Sequence, residues 1–527
     1  MKPKDAPEPT VAGHIPSMLE PRLYGRGVER VRIIQTHTSW VFLTGNHAYK
    51  VKKPVNFGFL DYTTLSARRF FCTEEFRLNR SIAPDIYIGV VPITLGRGGL
   101  RIGGRGRTID YALKMRELPQ DWLMTEQLRR DRVTYGHIDE IARLVAEFHA
   151  RAERGRQVAQ YGSSEIIKLN WDENFAQTMD FRGRTIAHKA YDELRRAIER
   201  FVAANRSRFR YRREAGFVRR CHGDLHSKNI FVDDGVHIFD CIEFNPRFSC
   251  SDVASEVAFF VMDLEYAGRH DLAGYFVERY LAYTRDTGML RLLDFYKCYR
   301  AYVRGKVTSF NLNDAGISAA DKARARKTAR SYFELSLTYA RRLEAKPWLA
   351  VMMGLPGTGK TFIARRLAAL TGAFHLLSDS IRKQLLGIPV TERHWDGYNK
   401  GIYRGNIGKK TYDEMFRRAG VFLGAGQSVI LDATFLHPES RERARETARR
   451  AGVGVRFLLA ECPEPTVRRR LVRREIEHSF SDANVEVYLA MKRRFAPPRS
   501  ERDVMRINTR QPAAQLVKRI ERALLHL

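Results

Sequence analysis

Residues 348–370 read WLAVMMGLPGTGKTFIARRLAAL: six apolar residues, a glycine-rich loop, and an amphipathic segment of helical period. The loop, Gly354 to Thr361, fits the pattern G-x-x-x-x-G-K-[ST]. Its chemistry is that of a phosphate cradle. Gly354, Gly357 and Gly359 let the chain curl so that backbone N–H groups, that of Thr358 included, face phosphate oxygens. Lys360 extends to the β/γ-phosphates, and the Thr361 hydroxyl is suited to Mg²⁺. The strand before the loop and the helix after it aim the positive end of the helix dipole at the same anion. This segment therefore predicts a P-loop that binds a nucleoside triphosphate such as ATP.

Downstream, the apolar runs FHLL, SVILDA, VRFLLA and VMRIN alternate with helical segments, which predicts an α/β domain with a mostly parallel sheet over residues 346–527. Asp379 follows the second run, in the crevice at the carboxyl ends of the strands where ligands of such sheets bind. There it can take the proton of an acceptor hydroxyl; the competing use is a helix cap. Asp432 closes VILD as a Walker B-type metal carboxylate. Arginines 468–470, 473 and 474 lead into SFSDAN, expected as a lid, with Arg470 and Arg473 placed to meet phosphoryl charge. Trp395, Tyr398, Tyr403, Arg404 and Lys409 fall in the stretch expected to cover the acceptor. LLSDSIR, VILDATF and the arginine-rich helix resemble the P-loop kinases related to polynucleotide 5′-kinases, zeta toxins and small-metabolite kinases. The resemblance spans most of residues 348–500 and implies that Asp379 is the general base.

Upstream, His222-Gly-Asp224-Leu-His-Ser-Lys-Asn229 has the layout of a kinase catalytic loop: the Asp deprotonates an acceptor hydroxyl and the Asn binds Mg²⁺. Eleven residues after Asn229, VHIFD ends at Asp240, placed to hold the metal as the DFG Asp does, although Cys-Ile follows in place of Phe-Gly. HGDLHSKNI, IFDCIEFN and SDVASEVAFF together resemble the aminoglycoside phosphotransferase and choline kinase group, within the protein-kinase-like fold. That resemblance implies further roles. Lys50, in Ala48-Tyr-Lys50-Val, is the phosphate-binding lysine, with Lys52 as fallback. Its helix partner is Glu74 or Glu75, and Asp252 buttresses the catalytic loop. Thr36–Ser39 stands where a glycine-rich loop would be.

Strand-like VRIIQT, WVFLTG and HAYKVKK, a helix over 64–80, and strands over 86–93 and 108–116 form the expected first lobe, residues 31–118. The Gly96–Arg107 run is expected as a hairpin turn. A mostly helical second lobe follows over 119–345, and a boundary near Lys346-Pro347. Residues 1–30 read as a loose, proline-rich extension. The expected architecture is thus multidomain: a two-lobed, protein-kinase-like α+β domain, then a P-loop NTPase α/β domain. The order is similar to that of widespread bacterial fusion proteins.

The composition suits a folded protein, with 44% hydrophobic and 29% charged residues. The polar start MKPKDAPEPT and the interrupted apolar stretch at 253–264 predict neither signal peptide nor membrane span. Six cysteines without C-x-x-C spacing point to reduced thiols and a cytoplasmic location. The 91 basic and 60 acidic residues leave a net charge of +31, which favours anionic partners. Scattered arginine favours a solvated surface over a nucleic-acid track. The reading is an ATP- and Mg²⁺-dependent kinase with two ATP sites and hydroxyl-bearing small-molecule acceptors, with no obligate protein partner inferred. Its alternatives are a polynucleotide 5′-hydroxyl kinase in the second half, and one half acting as an ATP-binding switch for the other.

Overall fold

A computed structural model describes residues 10–58, 60–314, 316–392, 401–476, 484–498 and 501–527. It forms two compact units, each assembled from two stretches of chain: residues 1–173 with 202–260, and residues 174–201 with 261–527.

The first unit contains a six-stranded antiparallel sheet built from β1 (Arg32–Gln35), β2 (Ser39–Leu43), β3 (His47–Lys52), β4 (Tyr87–Gly96), β5 (Gly99–Ile102) and β6 (Arg107–Arg116). The strand order is β1-β2-β3-β6-β4-β5. Trp40, Phe42, Tyr49 and Val51 alternate along β2 and β3 and are buried together with Ile93, Ile109 and Ala112. The helix Leu65–Arg80 packs against β6 and β4. Thr64 starts it by accepting the Ala67 N–H, and Arg68, Cys72, Glu75 and Asn79 recur on its buried face. Two short ladders, β7 (Val218–Arg220) with β10 (Cys250–Asp252) and β8 (Ile230–Val232) with β9 (Val236–Ile238), hold the loops that carry Asp224 and Asp240.

Two sequence expectations change here. Residues 10–24 are not loose: Val11 and Met18 are fully buried in the sheet's core. The Val11 N–H and Thr10 hydroxyl donate to Asp110, which also pairs with the buried Arg68 at 2.7 Å. Residues 1–9 lie outside the described residues. The Gly96–Arg107 run contains a strand as well as turns, because Leu100 and Ile102 pack against the same core and carry β5 into register with β4.

The second unit holds β11 (Trp348–Met353), β12 (Phe374–Leu377), β13 (Val429–Asp432), β14 (Gly454–Glu461) and β15 (Val504–Asn508). All neighbours are parallel, in the order β12-β13-β11-β14-β15. The central strands are continuous apolar runs because helices cover both faces. The helix His270–Thr284 packs on β12 and on the helix Lys360–Thr371. The helices Leu290–Phe310 and Ala319–Arg342 lie against each other. Composition therefore changes at Lys346, whereas packing joins residues 261–345 to the parallel sheet. No described helix is long and apolar enough to cross a membrane. The six cysteines form no disulfide.

Candidate active sites

In the first unit the loop after β7 turns at Gly223, whose φ is +88° and whose hypothetical Cβ would lie 3.0 Å from the Phe248 carbonyl oxygen. Only glycine fits that turn. His222 Nδ1 accepts the Asp224 N–H at 3.3 Å, so its Nε2–H is directed to the Phe239 carbonyl at 2.8 Å. Oδ2 of Asp224 receives Asn229 Nδ2 at 3.1 Å and His226 Nε2 at 3.2 Å. The His226 proton is fixed on Nε2 because Nδ1 accepts the Lys228 N–H. Asp224 keeps 38% of its side chain exposed, open to an acceptor.

Asp240 follows β9 in the left-handed region, φ +71°, and its N–H donates to the Tyr87 hydroxyl at 3.0 Å. Lys50 Nζ lies 2.6 Å from Asp240 and 2.8 Å from Glu75. Of the two candidate partners, Glu75 is the one that faces Lys50. Glu74 lies on the outer helix face and pairs with Arg77 and Arg220. Lys52 sits deeper, paired with Glu75 at 2.7 Å and with Glu243, which also accepts the Tyr62 hydroxyl. Burial opposes charge on Glu75, but Lys50 and Lys52 outweigh it and bring the carboxyl down to about 2. The Asn229 backbone carbonyl accepts the Phe239 N–H, which sets Asn229 beside Asp240. With its amide nitrogen on Asp224, its amide oxygen and the Asp240 carboxylate make an oxygen donor set that fits Mg²⁺.

The buttress of this loop is not the expected residue. Asp252 pairs with the buried Arg212 and accepts the Ala254 N–H. Glu256 instead accepts the His222 N–H at 2.8 Å. His149 and Cys221 close around Glu256, their ligand atoms within 4.8 Å of one another. Burial, then the Glu256 charge, pushes the Cys221 thiol well up.

In the second unit the P-loop curls as its glycines predict, with φ +130°, +76° and +91° at Gly354, Gly357 and Gly359. A Cβ on Gly354 would lie 2.7 Å from the Ala460 carbonyl oxygen, and one on Gly357 2.8 Å from Val467. Lys360 Nζ folds over the loop to the Leu355 carbonyl at 2.8 Å, and the Thr358 hydroxyl donates to the same oxygen. Arg470 lies alongside Gly359, held by Thr509, whose hydroxyl donates to the Thr358 carbonyl. Arg473 is exposed one turn further along the helix Glu464–Ile476.

Asp432 is buried at the end of β13. His375 Nε2 lies 3.0 Å from it, and although burial pushes its carboxyl up, His375, Lys360 and the Thr361 hydroxyl hold it below the usual range. Thr361 and Asp432 again offer oxygen to a hard cation. Asp379 lies in the first turn of the helix Ser378–Leu385 and is not its cap. Its carboxylate meets Arg382 at 2.5 Å, and the Arg382 guanidinium lies 4.5 Å from the centre of the Tyr403 ring. Arg404 and Lys409 are exposed. Trp395, Tyr398 and nearly all of SFSDAN lie outside the described residues. Arg443, Arg445 and Arg450 on the helix Pro438–Ala451 are engaged with Asp413, Asp503 and Glu446.

Residues 96–293 match the phosphotransferase enzyme family, and residues 349–498 match an AAA domain of the P-loop kinase kind. Fold, motifs and matches together define a kinase: a protein-kinase-like α+β phosphotransferase portion followed by a P-loop α/β portion. The uncharacterized proteins Rv2004c of Mycobacterium tuberculosis and Mb2027c of Mycobacterium bovis are each 30% identical over 469 residues, 88% of this chain and 90% of theirs. The chain belongs to the family of these mycobacterial proteins. Among solved structures, a choline/ethanolamine kinase family protein from Mesorhizobium loti is similar at 12% identity and TM-score 0.38, covering 63% of this chain and 99% of that one. A putative kinase from Chloroflexus aurantiacus is similar at 18% identity and TM-score 0.28, covering 34% and 98%.

Proposed function

We propose that the chain is a two-site kinase in which each site transfers the γ-phosphoryl group of ATP to a hydroxyl of a small-molecule acceptor. The residues of one catalytic site come from 31–345, read as lobes over 31–118 and 119–345, and those of the other from 346–527. The observation that carries the reading is the gathering of Lys50, Glu75, Asp224, Asn229 and Asp240, drawn from four separate stretches of a chain that also carries an independent phosphate loop.

In the first site Asp224 takes the proton as the acceptor oxygen bonds to the γ-phosphorus and the bond to ADP breaks. Lys50, held by Glu75, binds the phosphates. In the second site Asp379 takes the proton, oriented by Arg382, while Lys360 and Arg470 face the phosphoryl charge. Mg²⁺ neutralises phosphate charge when bound; Asn229 and Asp240 would hold it in the first site, Thr361 and Asp432 in the second.

The test supplies γ-labelled ATP and a panel of sugars, amino alcohols, nucleosides and 5′-hydroxyl oligonucleotides to the full chain. One acceptor class should lose label in Asp224→Asn and another in Asp379→Asn. Transfer that survives in the double variant refutes the assignment. Label on oligonucleotides alone, with steep salt dependence, replaces the small-molecule acceptor of the second site by a polynucleotide.

A further inference from the structure

The helix His270–Thr284 carries none of the residues assigned to either site, yet it sends one carboxylate under the P-loop site. Glu278 is only 12% exposed and accepts Arg418 Nη1 at 2.9 Å. The same Nη1 donates to Gln384 Oε1 at 2.7 Å, while Arg418 Nε is held by Glu414 at 2.8 Å. Gln384 belongs to the helix Ser378–Leu385, the one that carries Asp379 and Arg382, and its Nε2 donates to Ser380 Oγ next to Asp379. Around the same segment, Gln427 Nε2 donates to the Leu290 carbonyl and Arg291 to the Gly424 carbonyl.

The helix Ser378–Leu385 is two turns long and has no side-chain cap at its start. Helices of that length do not hold themselves in water, so its position depends on tertiary anchors. Arg418 is one such anchor, and without Glu278 its guanidinium would have a carboxylate only on its own helix. Arg418 and Gln384 thus link the buried carboxylate to the acceptor side.

We propose that Glu278 is a positioning residue of the second site: through Arg418 and Gln384 it holds the helix Ser378–Leu385, and with it Asp379 and Arg382, in place over the P-loop. The site is then completed from outside residues 346–527. The functional part of this inference rests on the reading of Asp379 as the base.

Hydrogen exchange followed by mass spectrometry on the full chain tests it without needing an acceptor. Glu278→Ala should speed exchange in residues 378–385 by about tenfold or more, the worth of a lost charged hydrogen bond. The helix Lys360–Thr371 should be unchanged. Glu278→Gln keeps an acceptor oxygen and should stay within about twofold of the native chain. In parallel, Lys360-dependent ATP turnover should lose kcat in Glu278→Ala with KM for ATP unmoved. Unchanged exchange in residues 378–385 overturns the proposal, and so does equal acceleration in residues 360–371, which would make Glu278 a general stabiliser. If exchange responds as stated but no Lys360-dependent turnover exists in the native chain, the anchor stands and the reading of the site as a kinase fails.

Discussion

Replacing Glu75 by Gln removes the charge that Lys50 and Lys52 share. Its carboxylate lies 2.8 Å from one ammonium and 2.7 Å from the other, and the side chain is 1% exposed. Burial alone would raise its pKa, but the two lysines lower it from 4.5 to about 2. By linkage the folded state favours the ionised form by about 3 kcal/mol at neutral pH. Removing one partner of a buried pair costs about 3–5 kcal/mol. The lower end applies here: Glu243, which burial and Glu75 push up, is relieved of its acidic neighbour and stays with Lys52. Exchange protection of the β3 amides should therefore fall about a hundredfold in Glu75→Gln at pH 7. A depressed carboxyl stabilises fully above its unfolded value and loses that contribution as pH falls from about 4.5 toward about 2. At pH 3.5 the gap between native chain and variant should have narrowed by about tenfold. A gap equal at the two pH values, or no gap at pH 7, refutes the shared-charge account.

Asp224→Asn should leave Mg·ATP affinity of the first site within about twofold while cutting its turnover by ~10²–10⁴, read by calorimetric titration alongside phosphate transfer. Asp240→Ala should instead raise the Mg²⁺ concentration needed for half-maximal turnover of that site. Gly223→Ala puts a side chain into the left-handed region against the Phe248 carbonyl, a strain of about 1–3 kcal/mol. It should slow the first site and leave the second at its native rate. Lys360→Ala should abolish binding of a fluorescent ATP analogue at the second site while the first still titrates.

The phosphate loop is readable because its requirements fall within eight consecutive residues, 354–361, and the strand that enters it is a short apolar run. The choice between Glu74 and Glu75 had a usable signal. Arg68, Cys72, Glu75 and Asn79 recur at helical spacing, so Glu75 shares the inward face once that face is identified. Glu256 and His375 left weaker marks, a charge inside the run VASEVAFF and a polar residue inside the strand FHLL. Their partners lie 34 and 57 positions away, so no local period could assign them. Glu278 and Arg418, 140 positions apart, left no mark at all. Proline and polarity made residues 10–24 look loose, whereas two apolar side chains and one buried Asp–Arg pair decide their packing.

The interleaving of the two compact units bears on how the chain is made. A ribosome releases it in order, and the first unit receives its last segment only at Phe260. The second unit's opening segment, 174–201, emerges long before its partners. The Thr178 hydroxyl bonds Tyr302 across 124 positions, a wait of about 6–25 s at ~5–20 residues per second. Phe201 stacks on Phe295 after a similar delay. Phe175 likewise meets the edge of the Tyr302 ring only then. The pairing of residues 174–201 with residues 261–345 thus leaves Thr178 and Phe201 waiting for their partners during translation.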